Sequence, residues 1–119
     1  MKNAINWFEI PVVDLARATA FYGKLLELPL EAEDFQGTPM TVIKSEGVSG
    51  ALMQFKNRKP SPEGAVVYLN VDGRLDQVLA RVKSVGGEVV QPRVDLGPQG
   101  AYAVFRDCEG NHVGVHQSA

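Results

Sequence analysis

AVVYLNVDGRLDQVLARVKSVGG, residues 65–87, repeats in outline what FEIPVVDLARATAFYGKLLEL, residues 8–28, lays down near the start. Each stretch opens with alternating apolar residues, which on a strand place neighbours on opposite faces. Each then reaches an aspartate and changes to a helical period. In the first copy Phe8, Ile10 and Val12 share one strand face, while Trp7 and Glu9 share the other. Asp14 has the chemistry of an N-cap, because its carboxylate can accept from the orphan N–H groups of the first turn. Leu15, Ala18, Phe21, Tyr22, Leu25 and Leu26 follow at helical spacing, and Pro29 is expected to stop the helix. In the second copy Asp72 precedes RLDQVLARVKSV, residues 74–85, and Gly86-Gly87 closes it.

Three extended pieces follow each helix. After the first they are LEAEDF (30–35), MTVIKS (40–45) and GALMQF (50–55). After the second they are EVVQP (88–92), AYAVFR (101–106) and HVGVH (112–116). KNRKPSPEG, residues 56–64, is charged, rich in proline and glycine and without apolar period, so it reads as a linker. The order is strand, helix, three strands, stated twice at roughly 50 residues per unit. The expectation is an α+β fold in one domain, 1–119. A first βαβββ module covers about 1–57 and a second about 65–119, with the linker at about 56–64. One unit leaves a sheet face bare; two together place their helices outside and leave a concave, cavity-lining mixed sheet inside.

Composition narrows the function classes. The formal net charge is −2 over 119 residues and the basic residues are scattered, which argues against nucleic acid or an anionic membrane as partner. Nothing at the N-terminus has the apolar run of a signal peptide, and a single cysteine, Cys108, cannot form an internal disulfide. The expected setting is cytoplasmic. Cys108 lies in a turn with no histidine placed to activate it, so it reads as an inert thiol. EGVSGA (46–51) and DLGPQGAYA (95–103) open no helix and match no phosphate-cradling pattern; VDLGPQG, 94–100, has the length of a flap over one mouth of the cavity.

Three stretches carry a family likeness: IPVVDLARATAFYGKLLEL (10–28), VYLNVDGRLDQVLARVKSVGGEVVQP (67–92) and AVFRDCEGNHVGV (103–115). With the repeated element order they resemble the vicinal oxygen chelate superfamily, which includes glyoxalase I, bleomycin-resistance proteins and extradiol dioxygenases. Cys108 stands where that family usually has the proline of an Asp-Pro-x-Gly-Asn turn, although Gly110 and Asn111 still supply a turn. The resemblance implies one metal ligand on each of four cavity-facing strands, at positions that fall on Trp7, Gln54, Val66 and Gly114. None is a strong donor for a divalent ion. No metal and no other cofactor is therefore expected. The resemblance and the need to cover sheet edges both imply a homodimer.

Strand parity then proposes the site. His112 and His116, the only two histidines, share a face with Gly114; Glu9 and Trp7 share one on the first strand; Val66, Tyr68 and Asn70 on the fifth. Glu9, His112 and His116 are the candidate catalytic residues, and Trp7, Leu52, Gln54, Val66, Tyr68 and Asn70 the candidate ligand-binding ones. An apolar pocket with a few convergent polar groups suits a small organic molecule. Glu9 as base, a histidine as shuttle and Tyr68 as donor to an oxyanion would suit an isomerase or lyase. Each residue also has a plain structural role open to it: His112 and His116 as solvated strand-end residues, Trp7 as packing, and Glu9 as a carboxylate held by a neighbouring Arg or Tyr. A second reading is a metal-dependent lyase, like lactoylglutathione lyase, or a dioxygenase, with Zn, Ni, Mn or Fe on His112, His116 and Glu9. Against it, the two histidines stand roughly 13 Å apart along one strand, too far to share an ion without a bulge. A third is an interaction module that binds no ligand.

Overall fold

A computed structural model describes residues 3–119. The element order is β1 (Trp7–Pro11), α1 (Leu15–Leu26), β2 (Ala32–Phe35), β3 (Thr38–Ile43), β4 (Ser49–Met53), β5 (Tyr68–Asn70), α2 (Leu75–Val82), β6 (Glu88–Asp95), β7 (Ala101–Arg106) and β8 (His112–Gln117). The strands form two four-stranded mixed sheets, β1-β4-β3-β2 and β5-β8-β7-β6. In each, the first strand pairs in parallel with the last and the other pairings are antiparallel. Both modules thus have the same wiring, as the repeated pattern requires.

One apolar face of every central strand meets the helices. Ile10, Ile43 and Leu52 of the first sheet join Leu69, Phe105, Val113 and Val115 of the second in a core that takes in both helices. Within it Phe21, Tyr22 and Phe105 meet ring to ring, with Phe21 edge-on to Tyr22 at 5.0 Å. Arg81 of α2 donates to the carbonyl of Leu25, and Arg74 to that of Leu26, so α2 satisfies orphan acceptors at the end of α1.

Several sequence expectations shift in detail. Asp14 does cap α1, accepting from Arg17 N–H at 3.0 Å. The helix ends before Pro29, where Glu27 takes a left-handed conformation and its N–H returns to the Gly23 carbonyl. Asp72 does not cap α2; its carboxylate accepts from Ser118 N–H instead. Thr38 and Pro39, which fall between the expected extended pieces 30–35 and 40–45, belong to β3, and β6 runs on to Asp95. The stretch 94–100 is correspondingly less of a flap: Leu96 N–H reaches Gly100 O and Gly100 N–H reaches Gly97 O. Among the described residues no helix is long and apolar enough to cross a membrane.

Candidate functional site

The two modules share a register that fixes which side chains face away from the core. Val12 N–H bonds Met53 O, and Val71 N–H bonds His116 O. Leu15 N–H bonds the side-chain carbonyl of Gln54, and Leu75 N–H that of Gln117, each at 3.0 Å. Glu9 is paired with Ala51 as Tyr68 is paired with Gly114. Glu9 and Tyr68 are therefore equivalent residues of the two copies, both on the concave side.

That register corrects two sequence assignments. Leu52 pairs with Ile10, is fully buried and belongs to the helix-facing core, so it is not a cavity wall. Gln54 lies beyond β4 and serves as a side-chain cap of α1. The residue of β4 that matches Gly114 is Ala51. Asn70 is turned to a local task, its carbonyl oxygen accepting from Asp72 N–H at 2.8 Å.

On the second sheet Tyr68 lies flat on Gly114, where a Cβ would run into its ring. Tyr102, placed on the same face by its pairing with His116, meets Tyr68 edge-on at 5.9 Å. Trp7, Val66 and Tyr68 keep 44%, 41% and 49% of their surface open, so each is a large apolar group left outside the core. Tyr102 was not found from sequence, although its alternation in AYAVFR carried the signal.

The polar residues sort into two places. Glu9 and His112 line one cleft of about 120 Å³ at the seam between the modules, floored by Ile10, Val67 and Val113 and walled by the linker at Lys59 and Ser61. The Glu9 carboxylate accepts from Trp7 Nε1 at 3.1 Å and from Arg58 at 3.3 Å. Arg58 in turn sits over the Phe55 ring, 4.9 Å from its centroid. His116 is elsewhere: its Nε2 lies 2.8 Å from the carbonyl of Gln99, which makes that nitrogen the proton-bearing one. Glu9 and His112 are brought together, and His116 is not.

The four positions at which the resemblance implies ligands offer a divalent ion no strong donor. Trp7 and Val66 cannot ligate, Gln54 is committed to α1, and the space a side chain at 114 would need is filled by Tyr68. No group of three or more His, Cys, Asp or Glu converges among the described residues. These residues do not fit the metal that the resemblance implies.

Behind β8 the turn 107–111, read from the sequence only as a turn at Gly110 and Asn111, is held by a buried hydrogen-bond network. Asp107 is buried, and its carboxylate accepts from Tyr22 Oη at 2.7 Å and from Glu109 N–H, Asn111 N–H and Asn111 Nδ2. Asn111 also donates to Pro11 O and accepts from Ser61 N–H, which ties the linker and β1 to the residue preceding His112. Burial, reinforced by Asp107, pushes the Tyr22 phenol well above its ordinary value. Burial and the neighbouring Asp107 and Glu109 push the Cys108 thiol up to about 11, so little thiolate forms near neutrality.

Comparison with known proteins agrees with this architecture. The chain superposes on a glyoxalase/bleomycin resistance protein from Albidiferax ferrireducens T118 with a TM-score of 0.77, at 16% identity, over 98% of this chain and 100% of the other. A glyoxalase/bleomycin resistance protein from Streptomyces sp. CB03234 is 26% identical, TM-score 0.70, over 93% and 97%. The genomically encoded fosfomycin resistance protein FosX from Listeria monocytogenes is 16% identical, TM-score 0.70, over 100% and 96%. No curated protein matches the chain. The family model described as Glyoxalase/Bleomycin resistance protein/Dioxygenase superfamily matches residues 4–115. Two βαβββ modules of one wiring and a match over nearly the whole chain make this protein a member of the glyoxalase/bleomycin resistance protein/dioxygenase superfamily.

Proposed function

We propose that this protein binds a small organic molecule on its concave face without a metal ion. The ligand's flat apolar part lies against Tyr68 and Trp7, and its polar end points into the seam cleft at Glu9 and His112. The observation that carries this reading is Tyr68 stacked on Gly114. A half-open aromatic ring, fixed from below by backbone and from the side by Tyr102, offers a rigid platform at little entropic cost. The seam cleft alone, at about 120 Å³, is smaller than the roughly 300 Å³ at which ligand pockets begin, so it suits one end of a molecule only. Where the ligand carries an acidic C–H, Glu9 and His112 are the pair placed to move its proton.

A thermal-shift screen of small aromatic and carbonyl compounds, run with and without chelator, tests this. Compounds that bind should raise the melting temperature by a few degrees at saturating concentration, equally in both buffers. Tyr68→Ala should abolish the shift while the protein stays folded. Shifts that appear only with a divalent ion, or that survive Tyr68→Ala, would count against the reading.

A further inference from the structure

We propose that the Glu9 carboxylate anchors the cationic group of the ligand, a guanidinium or an amine, and that Arg58 is the internal occupant which that group displaces. This rests on the concave-face reading above and names the ligand's charge. Each Glu9 oxygen has one partner, Trp7 Nε1 on one and the Arg58 guanidinium on the other. The first is a short-range contact within β1 and survives when Arg58 leaves, so the carboxylate stays aimed. The second comes from a linker without regular structure between β4 and β5, and the Arg58 side chain is 63% exposed.

The place Arg58 occupies is one that a free cation would find equally suitable. Glu9 supplies the opposite charge, and Phe55, over which the guanidinium stands, supplies an aromatic face. Trp7 lies alongside with close to half its surface open. The charged groups around the cleft are Glu9, Lys59 and Glu63, with His112 among them, so the cleft itself is not basic. An exposed ion pair of this kind is weak, and a tether only makes it a local competitor. Its removal should therefore tighten a cationic ligand by about two- to sixfold, the range set by the strength of exposed pairs.

The test is an NMR titration with phenylguanidine and with phenylurea, its neutral counterpart of the same shape. The readout is the indole N–H resonance of Trp7, the one tryptophan of the chain. Wild type should bind phenylguanidine more tightly than phenylurea. Arg58→Gln should tighten phenylguanidine by the factor given, and Glu9→Gln should weaken phenylguanidine to the level of phenylurea. Equal binding of both probes would overturn the charge assignment while leaving the concave-face reading standing. An Arg58→Gln variant with unchanged or weaker phenylguanidine binding would overturn the displacement. Absence of any perturbation by either probe would overturn both readings. Should Glu9→Gln fail to fold, the Arg58→Gln arm decides alone, because Arg58 is exposed and outside the core.

Discussion

Gly114 shows how one residue without a side chain sets the chemistry of a face. Its lack of a Cβ lets the Tyr68 ring lie on the strand, at the point where the resemblance implies a metal-ligating side chain. Gly114→Ala should force the ring off β8, destabilise the protein by about 1–3 kcal/mol as an overpacked site does, and weaken any concave-face ligand. In a double-mutant cycle, Tyr68→Ala should recover part of that loss, and denaturant unfolding of the four proteins would show it; strict additivity would mean the two do not touch. Glu9 and Trp7 were legible from strand parity because Asp14 pins β1, and Tyr68 because the pattern restarts at residue 65, whereas Val66, expected on the fifth strand, lies before β5. Leu52 and Gln54 were not, because β4 has no such anchor and a one-residue slip turns every side chain to the other face. Arg58 shows its role only through a contact between segments that sequence alone does not bring together.

At the level of elements, the N-terminus of α1 gathers three caps from three parts of the chain. Asp14 accepts from Arg17 N–H and Gln54 from Leu15 N–H, while Glu109 accepts from Val13 and Asp14 N–H and pairs with Arg17. Only Asp14 was readable, since a local cap leaves a local pattern. The same helix carries Tyr22, whose phenol donates to Asp107 inside the core. A phenol whose folded-state value is raised adds stability that is complete below its unfolded value near 10 and is lost as pH rises beyond it. Cys108, raised from 9.0 to about 11, adds a smaller loss that begins about one pH unit lower. Unfolding free energy should therefore fall from about pH 9 upward, and Tyr22→Phe should flatten the part above about pH 10. At neutral pH that variant should cost about 1–3 kcal/mol, because it removes a donor from a buried carboxylate. Urea titrations at pH 8 and 11 would check both; an equal alkaline loss in Tyr22→Phe would exclude the phenol as its source.

For the whole molecule, duplication explains both what is regular and what is special. The two copies keep the same wiring, the same backbone bond closing the parallel strand pair and the same glutamine cap, and that regularity made the fold legible from the restart at residue 65. They differ on the concave face, where Glu9 in one copy stands opposite Tyr68 in the other in the scheme of equivalent positions. A polar anchor and an aromatic platform in place of repeated metal ligands are the central claim. The most direct measurement is a backbone and side-chain NMR footprint of the compound giving the strongest thermal shift, recorded in the presence of chelator. The account predicts that perturbations centre on Trp7, Glu9, Tyr68, Tyr102 and His112. Perturbations centred on the α1–Cys108 side of the molecule, or binding that appears only after a divalent ion is added, would contradict it.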